Sequence, residues 1–165
     1  MTQLTYPVEM AIAFPGLLAT GSKHRETLSR KSEEATSFGY GNAVVRGTDP
    51  DTQALLPTGA ADVLGVAQHS HANAIGSDGL NLVDDEKLFN VLHIGSIYVE
   101  VEEAVTPASP VFVRVAAGAG GTQLGAFRAS ADTATALAAS GMRFLTSAAS
   151  GGFAVLEIDA DAAIA

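Results

Sequence analysis

The chain of 165 residues has no cysteine and no tryptophan, and only ten aromatic side chains. Without cysteine, disulfides and thiolate metal sites are excluded, and the redox compartment cannot be read. Without tryptophan, a sugar-binding surface would lack its strongest stacking platform. Basic side chains are also scarce, nine against eighteen acidic, for a formal net charge of -9. That balance excludes nucleic-acid binding through a basic surface. Long apolar runs are missing too. The opening stretch MTQLTYPVEMAIAFPG has no basic start, and Pro7, Glu9 and Pro15 interrupt it. We read it as neither a secretion signal nor a membrane span.

What is there is apolar but small. The 47% hydrophobic content includes 30 alanines. One domain with a modest core of β-branched and small side chains is expected, with oligomerisation or docking to supplement it. Charge is uneven. Residues 1–46 carry five basic and four acidic side chains, whereas residues 47–165 carry four and fourteen. Lys23, Arg25, Arg30 and Lys31 cluster in the first part, as a solvated loop or as an arm seeking an acidic partner would.

Periodicity of two dominates the chain. Ile97, Val99 and Val101 alternate with Tyr98, Glu100 and Glu102; Val111, Val113 and Val115 alternate with Phe112 and Arg114. Each run gives a strand with an aliphatic face and a charged or aromatic face. Pro107 and Pro110 break the sheet between them. This predicts an antiparallel pair joined by a turn; a register that set Glu100 opposite Arg114 would add a cross-strand charge pair.

Ahead of these runs, Leu4, Tyr6, Val8, Met10, Ile12 and Phe14 occupy every second position, with Pro7 among them. That pattern predicts an edge strand or an extended arm, able to close its own sheet or lie on another chain. Short strands follow at Ala43–Arg46, Val63–Ala67, Leu124–Arg128, Met142–Leu145 and Phe153–Ile158, with turn residues at 47–51. Residues 69–85 read as a long polar loop, and Asp132–Ala139 as the one segment with helical potential. Many short strands with Gly/Pro turns indicate an all-β sandwich, jelly roll or barrel. The expected organisation is an arm over residues 1–40 and a β-domain over 41–165.

Catalytic patterns are weak. His69 and His71 share strand parity and His93 follows, so a metal-dependent jelly-roll enzyme of cupin type is one reading. The glycine tip at 118–121 leads into a strand rather than a phosphate-binding helix, and no Gly-x-Ser-x-Gly elbow occurs. Sugar binding by the glycine-bearing loops is a further alternative.

The order and spacing of several short elements resemble the structural cement (capsid decoration) proteins of tailed bacteriophages. They are Ser29-Arg30 to Ala35, Phe38-Gly39, Ala43 to Pro50, Leu64 to Ala67, Ile97 to Glu103, Pro110 to Arg114, Gly125 to Arg128 and Arg143 to Ser147. The resemblance implies a jelly-roll-like β-sandwich or barrel with an extended N-terminal arm, no cofactor and no catalytic centre. It implies a homodimer on the outer capsid surface, bridging neighbouring major capsid proteins, with no nucleic-acid or membrane partner. Its contact candidates are Leu4, Tyr6, Val8, Met10, Ile12, Phe14, Lys23, Arg25, Arg30, Tyr98, Glu100, Phe112 and Arg114.

Overall fold

A computed structural model describes residues 13–20, 24–70, 82–116 and 123–165. Among these residues there are strands and no helix. In chain order the strands are β1 (Glu26–Ser32), β2 (Phe38–Gly39), β3 (Ala43–Arg46), β4 (Gln53–Leu55), β5 (Ala61–Gln68), β6 (Leu82–Val83) and β7 (Leu88–Glu100). They continue with β8 (Phe112–Arg114), β9 (Phe127–Arg128), β10 (Ala136–Phe144) and β11 (Phe153–Ile164). The all-β expectation holds. The pairings define closed rings and do not by themselves make a jelly roll.

The rings follow from the register. β1 pairs with β4 in parallel, β4 with β3, β3 with β5, β5 with β7, and β7 again with β1, where Lys31 lies opposite Leu88. Farther along β7 a second circuit begins. β7 pairs with β11, β11 with β10, β10 with β8 and β8 with β9. Phe127 of β9 then meets Val101, just beyond the end of β7, in a parallel bridge. Closing each circuit leaves few unpaired strand edges.

β7 therefore belongs to both circuits. Its first half, Leu88 to Ile94, faces β1, and its second half, Gly95 to Glu100, faces β11. The handover falls at Gly95, whose φ of 132° is open to glycine and strained for other residues.

Alternation divides the apolar side chains between two cores. Val44, Leu64, Phe89 and Val91 join Phe38 and Tyr40 in one, while Val63, Val66, Leu92, Ile97, Val113, Phe127 and Leu156 fill the other. β3, β5 and the first half of β7 are thus covered on both faces. That explains why Val63 to Ala67 is an unbroken apolar run rather than an alternating one.

Three expectations are corrected. The runs around Val99 and Val113 do not pair: Glu100 lies opposite Phe153, and Arg114 opposite Ala136. The segment with helical potential is instead a turn followed by β10. Asp132, Thr133 and Ala134 have φ of 43°, 56° and 69°, a left-handed turn incompatible with a right-handed helix. Finally, part of the stretch expected as an arm belongs to the body. β1 closes the first ring, and residues 16–19 lie along β7, with Gly16 N–H donating to Tyr98 O at 2.8 Å and Ala19 N–H to Ser96 O at 2.9 Å.

Candidate functional site

Two constellations stand out, one buried and one open. The buried one is built on β8 and β9. Arg114 is 1% exposed, and its Nε and Nη2 donate to the Glu102 carboxylate at 2.7 and 2.6 Å. Nη2 also donates to Asp132 Oδ2 at 2.7 Å, and Nη1 to Thr135 Oγ1 at 2.8 Å. Arg128 Nη1 reaches Glu102 Oε2 and Asp132 Oδ2, both at 3.0 Å. The hydrogen bond with Glu102, more than its burial opposes, holds the Arg114 guanidinium above its ordinary pKa. The bonds from Arg114 and then Thr135 hold the Asp132 carboxyl below its own.

This arrangement joins strands. Glu102 follows directly on the stretch where the second ring closes, and it binds one arginine on β8 and one on β9. The fork geometry of arginine allows such a shared, bidentate contact. Arg114 is accordingly a structural residue of the interior and is withdrawn as an outward contact. Its alternation partners Val113 and Val115 face a core, but its own side is covered by the 129–135 turn and Glu102.

The open constellation lies on the outer face of β7, β11 and β10. Pairing puts Tyr98 beside Val155, Glu100 beside Phe153 and Ser96 beside Glu157. The inward neighbours Ile97, Val99, Ala154 and Leu156 are fully buried, so this is the other side of a filled sheet. Among the described residues the large hydrophobic side chains left exposed are Leu88, Leu145 and Phe153, and two of these three flank Tyr98 here. A groove of about 670 Å³ runs over this face between the chain at Thr20 and His24 and the β10–β11 edge. Ile94, Tyr98, Leu145, Val155 and Ile158 give it an apolar lining, and Glu157 and Asp159 an acidic one. Glu157 pairs with Arg143.

The other sequence candidates are scattered. Phe14 packs edge-on to His69, with ring centres 4.5 Å apart, and Tyr40 lies 5.0 Å from the same imidazole. Arg25 is exposed; Arg30 is half-buried, with Nη1 donating to Ser29 O at 2.9 Å. Phe112 is half-buried in β8, and Glu100 is exposed. Leu4, Tyr6, Val8, Met10, Ile12, Lys23 and His71 lie outside the described residues. His93 Nδ1 sits 2.6 Å from Leu64 O, bound to the neighbouring strand. Among the described residues no three His, Asp or Glu side chains come together as metal ligands.

Sequence reasoning missed Leu145, Phe153, Val155 and Asp159. The alternation of Phe153, Val155 and Glu157 was a usable signal, but only the pairing with Tyr98 shows that these residues share its face. It also missed the joining of Glu102 to Arg128 and Asp132, which lie far from it in the chain.

These features define an all-β body whose buried charges hold strands together and whose outer face leaves Leu145 and Phe153 exposed. The chain belongs to the phage family described as "Structural cement protein (E217 gp24/Pam3 gp6)", which matches residues 2–159. It is a structural, capsid-stabilising component of the virion. A chain in the solved capsid of Myoviridae Phage XM1 has the same fold, with a TM-score of 0.72 over 97% of this chain and 98% of that one, at 15% identity. A fainter likeness is to the head fiber gp8.5 N base in bacteriophage phi29, with a TM-score of 0.43, 10% identity and coverage of 84% and 97%. No curated protein matches the chain in sequence.

Proposed function

We propose that the protein is made in the host cytoplasm, binds the outside of the assembled shell as a homodimer, and bridges neighbouring major capsid proteins without any catalytic step. The observation that carries this reading is the family match, which includes the apolar alternation at the start of the chain as well as the body. Leu4, Tyr6, Val8, Met10 and Ile12 are the arm, and Lys23, Arg25, Tyr98, Glu100 and Phe112 are further contacts. A small sheet face suits a self-complementary two-fold contact. Two attachment points per dimer raise the effective affinity without a large single interface.

The experiment is removal of residues 2–12, which leaves every described contact in place. Binding of the purified protein to shells lacking it is expected to weaken by at least about a hundredfold, as loss of one of two linked contacts implies. Unchanged binding would contradict the arm's role.

A further inference from the structure

The turn that covers Arg114 is strained and is held by charge. Asp132, Thr133 and Ala134 stand at φ of 43°, 56° and 69°, and all three are exposed, so side-chain packing does not impose this conformation. A β-branched residue such as Thr133 adopts it rarely and at a cost. What opposes the cost is the Asp132 carboxylate, which accepts from Arg114 Nη2 at 2.7 Å and from Thr135 Oγ1 at 3.1 Å, with Arg128 Nη1 3.0 Å away. The turn closes through Thr135 N–H to Asp132 O at 3.2 Å and Ala136 N–H to Ala131 O at 3.1 Å. Its Thr135 carbonyl then accepts from the Val115 and Ala116 amides at 3.0 and 3.1 Å, which ties it to the end of β8.

A strained segment with one charged anchor has two states. With the anchor, the turn is left-handed and shut over the guanidinium. Without it, the same residues, whose composition favours a right-handed turn, relax away from β8. Among the described residues the charged groups facing Asp132 are Arg114 of β8 and Arg128 of β9, and behind them Glu102 and Glu103, which share those arginines. When Asp132 loses its charge, both arginines keep Glu102 and the body keeps its joint. The turn alone loses its hold.

We propose that the 129–135 turn is an acid-released latch on the second ring: protonation of Asp132 lets the turn leave Arg114 and frees its bonds to β8, while both cores stay packed. The bond from Arg114, and after it the bond from Thr135, lowers the Asp132 pKa, so the latch is shut above the ordinary carboxylate range and opens as pH falls below it. The inference concerns the body alone and stands whether or not the capsid contacts are as proposed.

The test is amide hydrogen exchange of the full-length protein, resolved by residue from pH 7 to pH 2.5 and expressed as protection relative to the intrinsic rate at each pH. The Val115, Ala116, Thr135 and Ala136 amides report on the turn. Leu145 N–H, bonded to Val155 O at 2.7 Å, and Ala67 N–H, bonded to Asn42 O at 2.9 Å, report on the two rings. On acidification, protection at the turn is expected to fall about tenfold or more, as loss of a charge-assisted bond implies, before Leu145 and Ala67 change. Asp132→Asn is expected to show the lower protection already at pH 7, with no further loss until the rings themselves open. Ala134→Gly removes the strain at that position and is expected to raise protection of the turn at pH 7 about twofold or more. Loss of protection at the turn and at both rings in step would overturn the inference, since acid would then open the body as a whole. An Asp132→Asn turn that answers acid as the unaltered one does would place the trigger on Glu102 or Glu103 and overturn it too. Lower protection in Ala134→Gly would show that the turn stores no strain, with the same result.

Discussion

Arg114 is withdrawn from water at 1% exposure, yet it keeps its charge because Glu102, Asp132 and Thr135 receive its donors. Removing Arg114 takes from Glu102 its bidentate partner and leaves Arg128 alone against Glu102 and Asp132, which costs more than the intact pair contributes. Arg114→Ala is expected to destabilise the fold by about 3–5 kcal/mol, read as a lower denaturant midpoint; a loss within experimental error would show the cluster to be idle. Asp132 carries a second consequence. Its turn holds three successive residues at positive φ, a conformation that costs about 1–2 kcal/mol per non-glycine residue. The bonds that the Asp132 carboxylate accepts from Arg114 and Thr135 offset that cost. Because its folded pKa is lowered, its contribution is present above the ordinary carboxylate range, near about pH 4, and is lost as pH falls through the lower folded value. Melting temperatures measured from pH 7 to pH 2.5 should fall less steeply on acidification in Asp132→Asn than in the unaltered chain. Parallel curves would show that Asp132 does not contribute to acid sensitivity.

At the scale of elements, β7 is the strand on which both rings depend, and its crossing with β5 is the tightest point. A Cβ built on Gly65 would lie 2.1 Å from the Leu92 carbonyl oxygen and 2.6 Å from Val91 Cγ1. The obstacle is backbone at the centre of two packed layers, so the strands must separate to admit it. Gly65→Ala is expected to cost about 2–4 kcal/mol, a large effect for one methyl group. Thermal unfolding would measure it, and a shift of under a degree would contradict the geometry. Much of this element layer was legible in the chain. The strands at Ala43–Arg46, Val63–Ala67 and Phe153–Ile158 follow from composition and turns, and the inward set Ile97, Val99 and Val101 from alternation alone. Partner choice was not legible. Neighbours in sequence usually pair, but β7 pairs with the distant β11, because the 101–111 connection carries the chain across the second ring. Arg114 was misread for a related reason: alternation reports which side a residue points to, not what covers that side. Alanines at 134–139 suggested a helix because propensity is weak against the tertiary demand for a strand between β8 and β11.

At the scale of the whole molecule, two rings sharing one strand make a rigid body, with small cores and alanine-rich strands. Rigidity of this kind suits a clamp, since a body that does not deform passes strain from one attachment point to another. The family match and the fold shared with a phage capsid chain set the body in the virion. In the proposed function the apolar alternation ahead of residue 13 is its means of attachment. The expected consequence is mechanical and belongs to the shell rather than to the free protein. The most direct measurement is the thermal disruption of shells lacking the protein, recorded by light scattering before and after adding it back at saturating concentration. The disruption temperature is predicted to rise with occupancy and to level off when the sites are filled. An unchanged temperature at full occupancy would contradict a cementing role.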